Sequence, residues 1–141
     1  TAGELEAAPI WPTPRAYTDF LVRTAATAGM DEVVAALLPC TWGYLEVASA
    51  LAAAGPPADQ RYADWIEQYT GAEFIAARDW LEAELERLAA GCGGDRRRRM
   101  HELFLVSCRY ELSFWEMCWR GEGASGSSWD RRAGAGPENP C

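Results

Sequence analysis

Apolar side chains recur at three- and four-residue spacing along most of this chain, and nowhere do apolar and polar residues alternate convincingly over the length of a strand. The pattern predicts five helices and an all-α fold. The first helix starts at Pro14, a residue suited to the first helical turn. It carries Tyr17, Leu21, Thr24 and Ala28 on one face and stops at Gly29. Asp31 is placed to cap a second helix reaching about Ala54, where Gly55, Pro56 and Pro57 end it. Val33, Leu37, Cys40, Tyr44, Val47 and Leu51 line one side of that helix, and Leu38, Trp42 and Leu45 cover much of the other. A helix apolar on most sides is expected at the centre of a bundle. Pro39 lies inside it, removes a backbone donor and predicts a kink one residue before Cys40.

A shorter helix is expected from Asp59 to Tyr69, clustering Tyr62, Trp65, Ile66 and Tyr69. Gly71 separates it from a fourth, running from Ala72 to about Ala90 with a stripe of Phe74, Ile75, Trp80, Leu81, Leu85 and Leu88. After the loop Gly91-Cys92-Gly93-Gly94, Asp95 is placed to cap a last helix that reaches Trp119 or Arg120. Residues 1–13 read as a leader loop. From Gly121 the composition turns to glycine, serine and charge, so 121–141 reads as a disordered tail on a helical domain spanning 1–120.

The chain has 141 residues, 49% of them hydrophobic and 11% aromatic, enough for one domain with one core. Its formal charge of -8 argues against a nucleic-acid partner. Every one of the 13 basic residues is Arg, which removes Schiff-base chemistry and a phosphate-gripping lysine. No uninterrupted apolar run reaches the ~20 residues needed to span a bilayer, and no signal peptide opens the chain, so no membrane partner is expected. Five cysteines, at 40, 92, 108, 118 and 141, form no C-x-x-C pair. Their odd count and apolar settings fit buried free thiols in a reducing, cytoplasmic setting. His101 is the single histidine and sits beside the Arg96–Arg99 run, so a metal site, a haem or a Ser-His-Asp triad is not expected. The Arg run itself reads as a solvated first turn.

Two helical positions resist explanation by packing. At 100° per residue, Phe104, Ser107, Cys108, Glu111, Trp115 and Cys118 share one stripe, with Glu111 near its middle. A carboxylate there is either paired to an Arg from another helix or used as an acid–base group with its proton affinity altered by burial. Glu116 falls on another face and reads as solvated. Cys40 and Tyr44 lie one turn apart on the second helix. A lone helical Cys is ordinarily core filler, but one following a proline in a central helix also suits a nucleophile, provided a base activates it. Glu111 would be that base if the two helices face each other. Tyr17, Tyr44, Tyr62, Tyr69 and Tyr110 supply phenols that can pack, or can stack on an aromatic heterocycle.

Four segments in register carry a resemblance. They are Pro14-Arg15-Ala16-Tyr17-Thr18-Asp19-Phe20-Leu21, Leu37-Leu38-Pro39-Cys40-Thr41-Trp42-Gly43-Tyr44-Leu45-Glu46, Tyr62-Ala63-Asp64-Trp65-Ile66-Glu67-Gln68-Tyr69, and Tyr110-Glu111 with Phe114-Trp115-Glu116-Met117. Together they resemble the TenA/THI-4 family, the thiaminase II or aminopyrimidine aminohydrolase group. The resemblance implies a haem-oxygenase-like helical bundle. It implies hydrolysis of an aminopyrimidine in thiamine salvage, often with cleavage of thiamine itself, and no cofactor. It assigns the nucleophile to Cys40, in the Cys-bearing branch of the family, the proton transfers to Glu111, and the shaping of the pyrimidine site to Tyr17, Tyr44 and Tyr69. It also implies that the family's N-terminal helices, which supply an Asp and an aromatic to the pyrimidine, have no counterpart here. Without them an apolar face of the central helix would be left uncovered, and the chain is expected to form a homo-oligomer. A pyrimidine-binding or regulatory module of the same fold, catalytically incomplete, is the alternative reading.

Overall fold

The structure, a computed structural model, describes residues 10–121 together with Gly3 and Ala7. Among the described residues there are five helices and no strand: α1 Pro12–Thr27, α2 Met30–Ala53, α3 Gln60–Thr70, α4 Ala72–Ala90 and α5 Gly94–Arg120. The all-α expectation holds. The expected tail lies outside the described residues except for Gly121, as does most of the expected leader.

Helix ends follow local chemistry with some departures from expectation. Helix α1 begins at Pro12, two residues early, because Pro12 and Pro14 both occupy first-turn positions whose N–H groups need no helical partner. Helix α3 starts one residue after the expected Asp59, which caps it, its carboxylate accepting from the Arg61 backbone N–H at 2.9 Å. Asp31 does not cap α2. Gly29 does, with Glu32 and Val33 donating to its carbonyl at 3.1 and 3.0 Å, and Asp31 lies in the first turn, buried. Gly93 rather than Asp95 caps α5, and Asp95 pairs with Arg98 one turn on. Helix α5 stops where Gly121 turns to φ 75°, a backbone state that favours glycine, and its N–H bonds to the Met117 carbonyl at 2.8 Å.

Helix α2 touches each of the other four, so it is the central helix of the described bundle. Small residues allow the close approach: Ala35, Ala36 and Ala48 are fully buried alongside Val34, Leu38 and Leu45. The tightest part of the core lies between α1, α2 and α5. There Phe20, Ala36 and Leu103 pack together with Tyr17, Leu21, Val106 and Tyr110 against them. By length and composition alone α2 is long and apolar enough to cross a bilayer, a test that the core helix of a bundle also meets.

The burial pattern corrects the sequence reading in one respect. Of the side expected to carry Val33, Leu37, Cys40, Tyr44, Val47 and Leu51, much stays open to solvent: Leu37 is 39% exposed, Val47 38% and Leu51 46%. Trp42, on the other side, is also exposed, as are Tyr62 of α3 and Trp80 of α4. Apolar periodicity marks these positions for burial, but none of the described helices reaches them.

Candidate active site

Three helices meet at one chain of oxygens. Helix α5 sets Ser107 and Glu111 one turn apart on the same face. Ser107, fully buried, donates from Oγ to the Ala36 carbonyl of α2 at 2.7 Å. The Tyr17 hydroxyl, carried by α1, lies 2.7 Å from Ser107 Oγ and 2.7 Å from Glu111 Oε1. Burial is the largest influence on the Tyr17 phenol and holds its proton far more tightly than in water. The Ser107 hydrogen bond works against this, and the bond to Glu111 and the charges of Glu111 and Cys40 work with it. The phenol is therefore neutral at every ordinary pH. Among the described residues no Arg forms an ion pair with Glu111, so the structural alternative of a simple buried ion pair does not apply.

Cys40 follows Pro39 on α2. Part of the residue faces solvent, yet enough protein surrounds the sulfur that desolvation leads the causes pushing the thiol up to about 12, followed by the charge of Glu111 and a hydrogen bond with it. No cation is among the influences on it, so the thiol rests protonated beside a carboxylate. Tyr44, one turn on, is pushed up by burial first and then by the charges of Glu111, Cys40, Tyr69 and Cys118. Cys40, Tyr17, Tyr44 and Glu111 thus face one another.

Aromatic rings wall this cluster. The Tyr44 ring lies 4.8 Å from Tyr69, 5.4 Å from Trp115 and 5.9 Å from Trp65, centroid to centroid. Tyr69 also meets Trp65 at 4.7 Å and the edge of Phe74 at 4.9 Å. On the far side Tyr17 stacks on Tyr110 at 5.2 Å with the planes 11° apart. Helices α1 to α5 all contribute to this wall. An electron-poor planar heterocycle slid among such rings would gain stacking and a hydrogen-bonding phenol at once. A separate apolar recess between α1 and α2, lined by Leu21, Val22, Ala25, Val33 and Leu37 among others, contains none of the five residues singled out from the sequence.

All five of those residues, Cys40, Glu111, Tyr17, Tyr44 and Tyr69, belong to the one cluster. Sequence reasoning missed Ser107, Trp65 and Trp115 as members of it. Ser107 carried a usable signal, a small hydroxyl in an otherwise bulky stripe one turn from Glu111. Among the described residues the cysteines are free but not buried as expected: Cys40 and Cys118 are exposed, and Cys92 and Cys108 half-buried, while Cys141 lies outside the described residues. Arg96 is no merely solvated residue, since it grips the Asp31 carboxylate through Nε and Nη2. Glu116 is half-buried rather than solvated.

Comparison with known proteins bears on this arrangement. Residues 2–121 match the TENA/THI-4/PQQC family. The chain belongs to that family. An aminopyrimidine aminohydrolase of Halalkalibacterium halodurans is 33% identical over 120 residues, covering 84% of this chain and 54% of the relative. The aminopyrimidine aminohydrolase of Bacillus subtilis is 37% identical over 120 residues, covering 83% of this chain and 49% of its own length. A thiamine biosynthesis multifunctional protein, ThiED, of Corynebacterium efficiens is 37% identical over 111 residues, covering 77% of this chain and 15% of the relative. The chain thus spans about half the length of the aminopyrimidine aminohydrolases it matches. Within the TENA/THI-4/PQQC family, the matched region takes in the entire cluster around Cys40 and Glu111.

Proposed function

We propose that this chain carries the hydrolytic site of an aminopyrimidine aminohydrolase serving thiamine salvage, with Cys40 as nucleophile and Glu111 as acid–base group. One observation carries the reading: the Tyr17 hydroxyl holds Glu111 Oε1 at 2.7 Å, and that carboxyl is near enough to Cys40 to help push its thiol up. A thiol pushed up to about 12 stores no thiolate at neutral pH, so it needs a base in contact at the moment of attack. Relatives named aminopyrimidine aminohydrolase support the substrate class. The same site would serve cleavage of thiamine, whose pyrimidine half presents the same ring.

In this scheme the thiol proton passes to Glu111 as sulfur bonds to the ring carbon bearing the amino group, and a ring electron pair moves onto the adjacent ring nitrogen. Glu111 returns the proton to the amine as that pair comes back and ammonia leaves. Water then loses a proton to Glu111 as it adds to the same carbon. The ring expels sulfur, and the sulfur recovers its proton from Glu111. Tyr44 and Tyr69 stack against the ring, and Tyr17 holds the Glu111 carboxyl in line.

The test is ammonia release from an aminomethyl-aminopyrimidine. Cys40→Ser removes most turnover while leaving pyrimidine binding nearly intact, and Glu111→Gln lowers the rate by about 10²–10⁴. Near-full turnover by Cys40→Ser would sink the covalent route. Saturable pyrimidine binding by the unsubstituted chain without any ammonia release would establish the binding-module alternative instead.

A further inference from the structure

Three contacts of 2.7 Å join four oxygens in a row: the Ala36 carbonyl, Ser107 Oγ, Tyr17 Oη and Glu111 Oε1. Each contact needs one proton. The carbonyl only accepts, and the two hydroxyls bring one proton each. With Glu111 ionised, two protons serve three contacts. However they are placed, one pair of oxygens meets lone pair to lone pair, at or beside a fully buried serine where water offers no relief. A proton on Oε1 completes the row: Glu111 donates to Tyr17, Tyr17 to Ser107, and Ser107 to the Ala36 carbonyl.

We propose that Ser107 is a positioning residue that makes protonated Glu111 the fully hydrogen-bonded state of this chain, and so favours transfer of the Cys40 proton to Glu111. This rests on the acid–base role proposed above. In the transfer the S–H bond breaks, an O–H bond forms on Glu111, and the electron pair stays on sulfur. Ser107 matters because its own proton is committed to the Ala36 carbonyl, which leaves its oxygen free to accept from Tyr17. Without that hydroxyl, Tyr17 has only Glu111 to donate to, and the ionised carboxylate becomes its fitting partner. The titratable groups around Glu111 are Tyr17 from α1, Cys40 and Tyr44 from α2, and Cys108 from its own helix. Each is neutral or negative, so none brings a positive charge that would hold Glu111 ionised against the hydrogen-bond count.

The experiment follows alkylation of Cys40 by iodoacetamide, read at its own peptide by mass spectrometry across pH, alongside thermal midpoints. Ser107→Ala slows Cys40 alkylation near neutral pH by roughly tenfold, the worth of about one hydrogen bond. Ser107→Thr, which keeps the hydroxyl, restores the rate. In a Tyr17→Phe background Ser107→Ala has no further effect, since Ser107 acts through the phenol. A purely packing role predicts the opposite sign, because a loosened core exposes the thiol and speeds its reaction. Unchanged or faster alkylation in Ser107→Ala overturns the proposal, as does an undiminished effect in the Tyr17→Phe background. Alkylation needs no pyrimidine, so slowed reaction in a chain that releases no ammonia upholds the relay while the proposed hydrolase reading fails.

Discussion

Burial and the nearby Glu111 carboxylate both oppose the charged form of the Cys40 thiol, and no cation among the described residues answers them. This sets the sign of a direct test. Glu111→Gln removes a negative charge and leaves only desolvation holding the thiol up, so the pH at which Cys40 forms thiolate moves down from about 12. Titrating thiolate absorbance against a Cys40→Ser reference reads the shift, and an upward move or none would show that Glu111 exerts no field on the sulfur. Glu111, Cys40, Tyr17, Tyr44 and Tyr69 were legible in the sequence because polar groups on apolar stripes stand out and because the four matching segments were in register. Ser107 was not. A serine can be buried in a helix at little cost by bonding to a carbonyl, so its spacing alone said nothing about Tyr17.

Among the elements, the junction of α2 with α5 depends on a pair that periodicity did not reveal. The buried Asp31 carboxylate is held by Arg96 through two hydrogen bonds, with the Cys92 thiol 3.6 Å from Oδ2. Arg96 leads the influences that lower Asp31 to about 2, outweighing the opposing effect of desolvation. A carboxyl lowered on folding contributes stability above its ordinary value of 3.8, and that contribution fades as pH falls through about 2. Arg96→Ala therefore lowers the thermal midpoint by several degrees at neutral pH and far less at pH near 2; an equal loss at both would mean that Arg96 acts by packing. Gly29→Ala acts on the same junction by contact, since a Cβ there would collide with Arg96 Nη2 and stand 2.7 Å from Asp31 Oδ1. The helices themselves were legible to within a few residues, because stripes and proline or glycine stops are local signals. Their caps were misassigned at α2 and α5 because an acidic residue near a helix start can bind an arginine as readily as a local N–H: Asp31 takes the distant Arg96, and Asp95 takes Arg98 one turn on.

For the molecule as a whole, the central helix is left with an apolar face that the described helices do not cover. Leu37, Val47 and Leu51 recur along it at helical spacing, and Val22 extends it beside the recess between α1 and α2. Cys40 on the central helix is also exposed, and Tyr44, Trp65, Tyr69 and Trp115 are half-buried. Exposed apolar stripes of this length seldom persist in water without a partner, and a second copy of the same chain is the partner always at hand. The expected outcome is self-association at micromolar concentration by light scattering, reversed by Leu37→Glu with Leu51→Glu. Both are exposed positions, so the charges replace surface contacts rather than core packing. Retained helicity by circular dichroism would show that the doubly substituted chain is still folded. A monomeric unsubstituted chain that also fails to bind a hydrophobic dye would mean that the stripe is tolerated as ordinary surface. If the substituted chain stays associated, the contact between copies lies elsewhere, with Trp80 and Trp119 as the next exposed apolar side chains to replace.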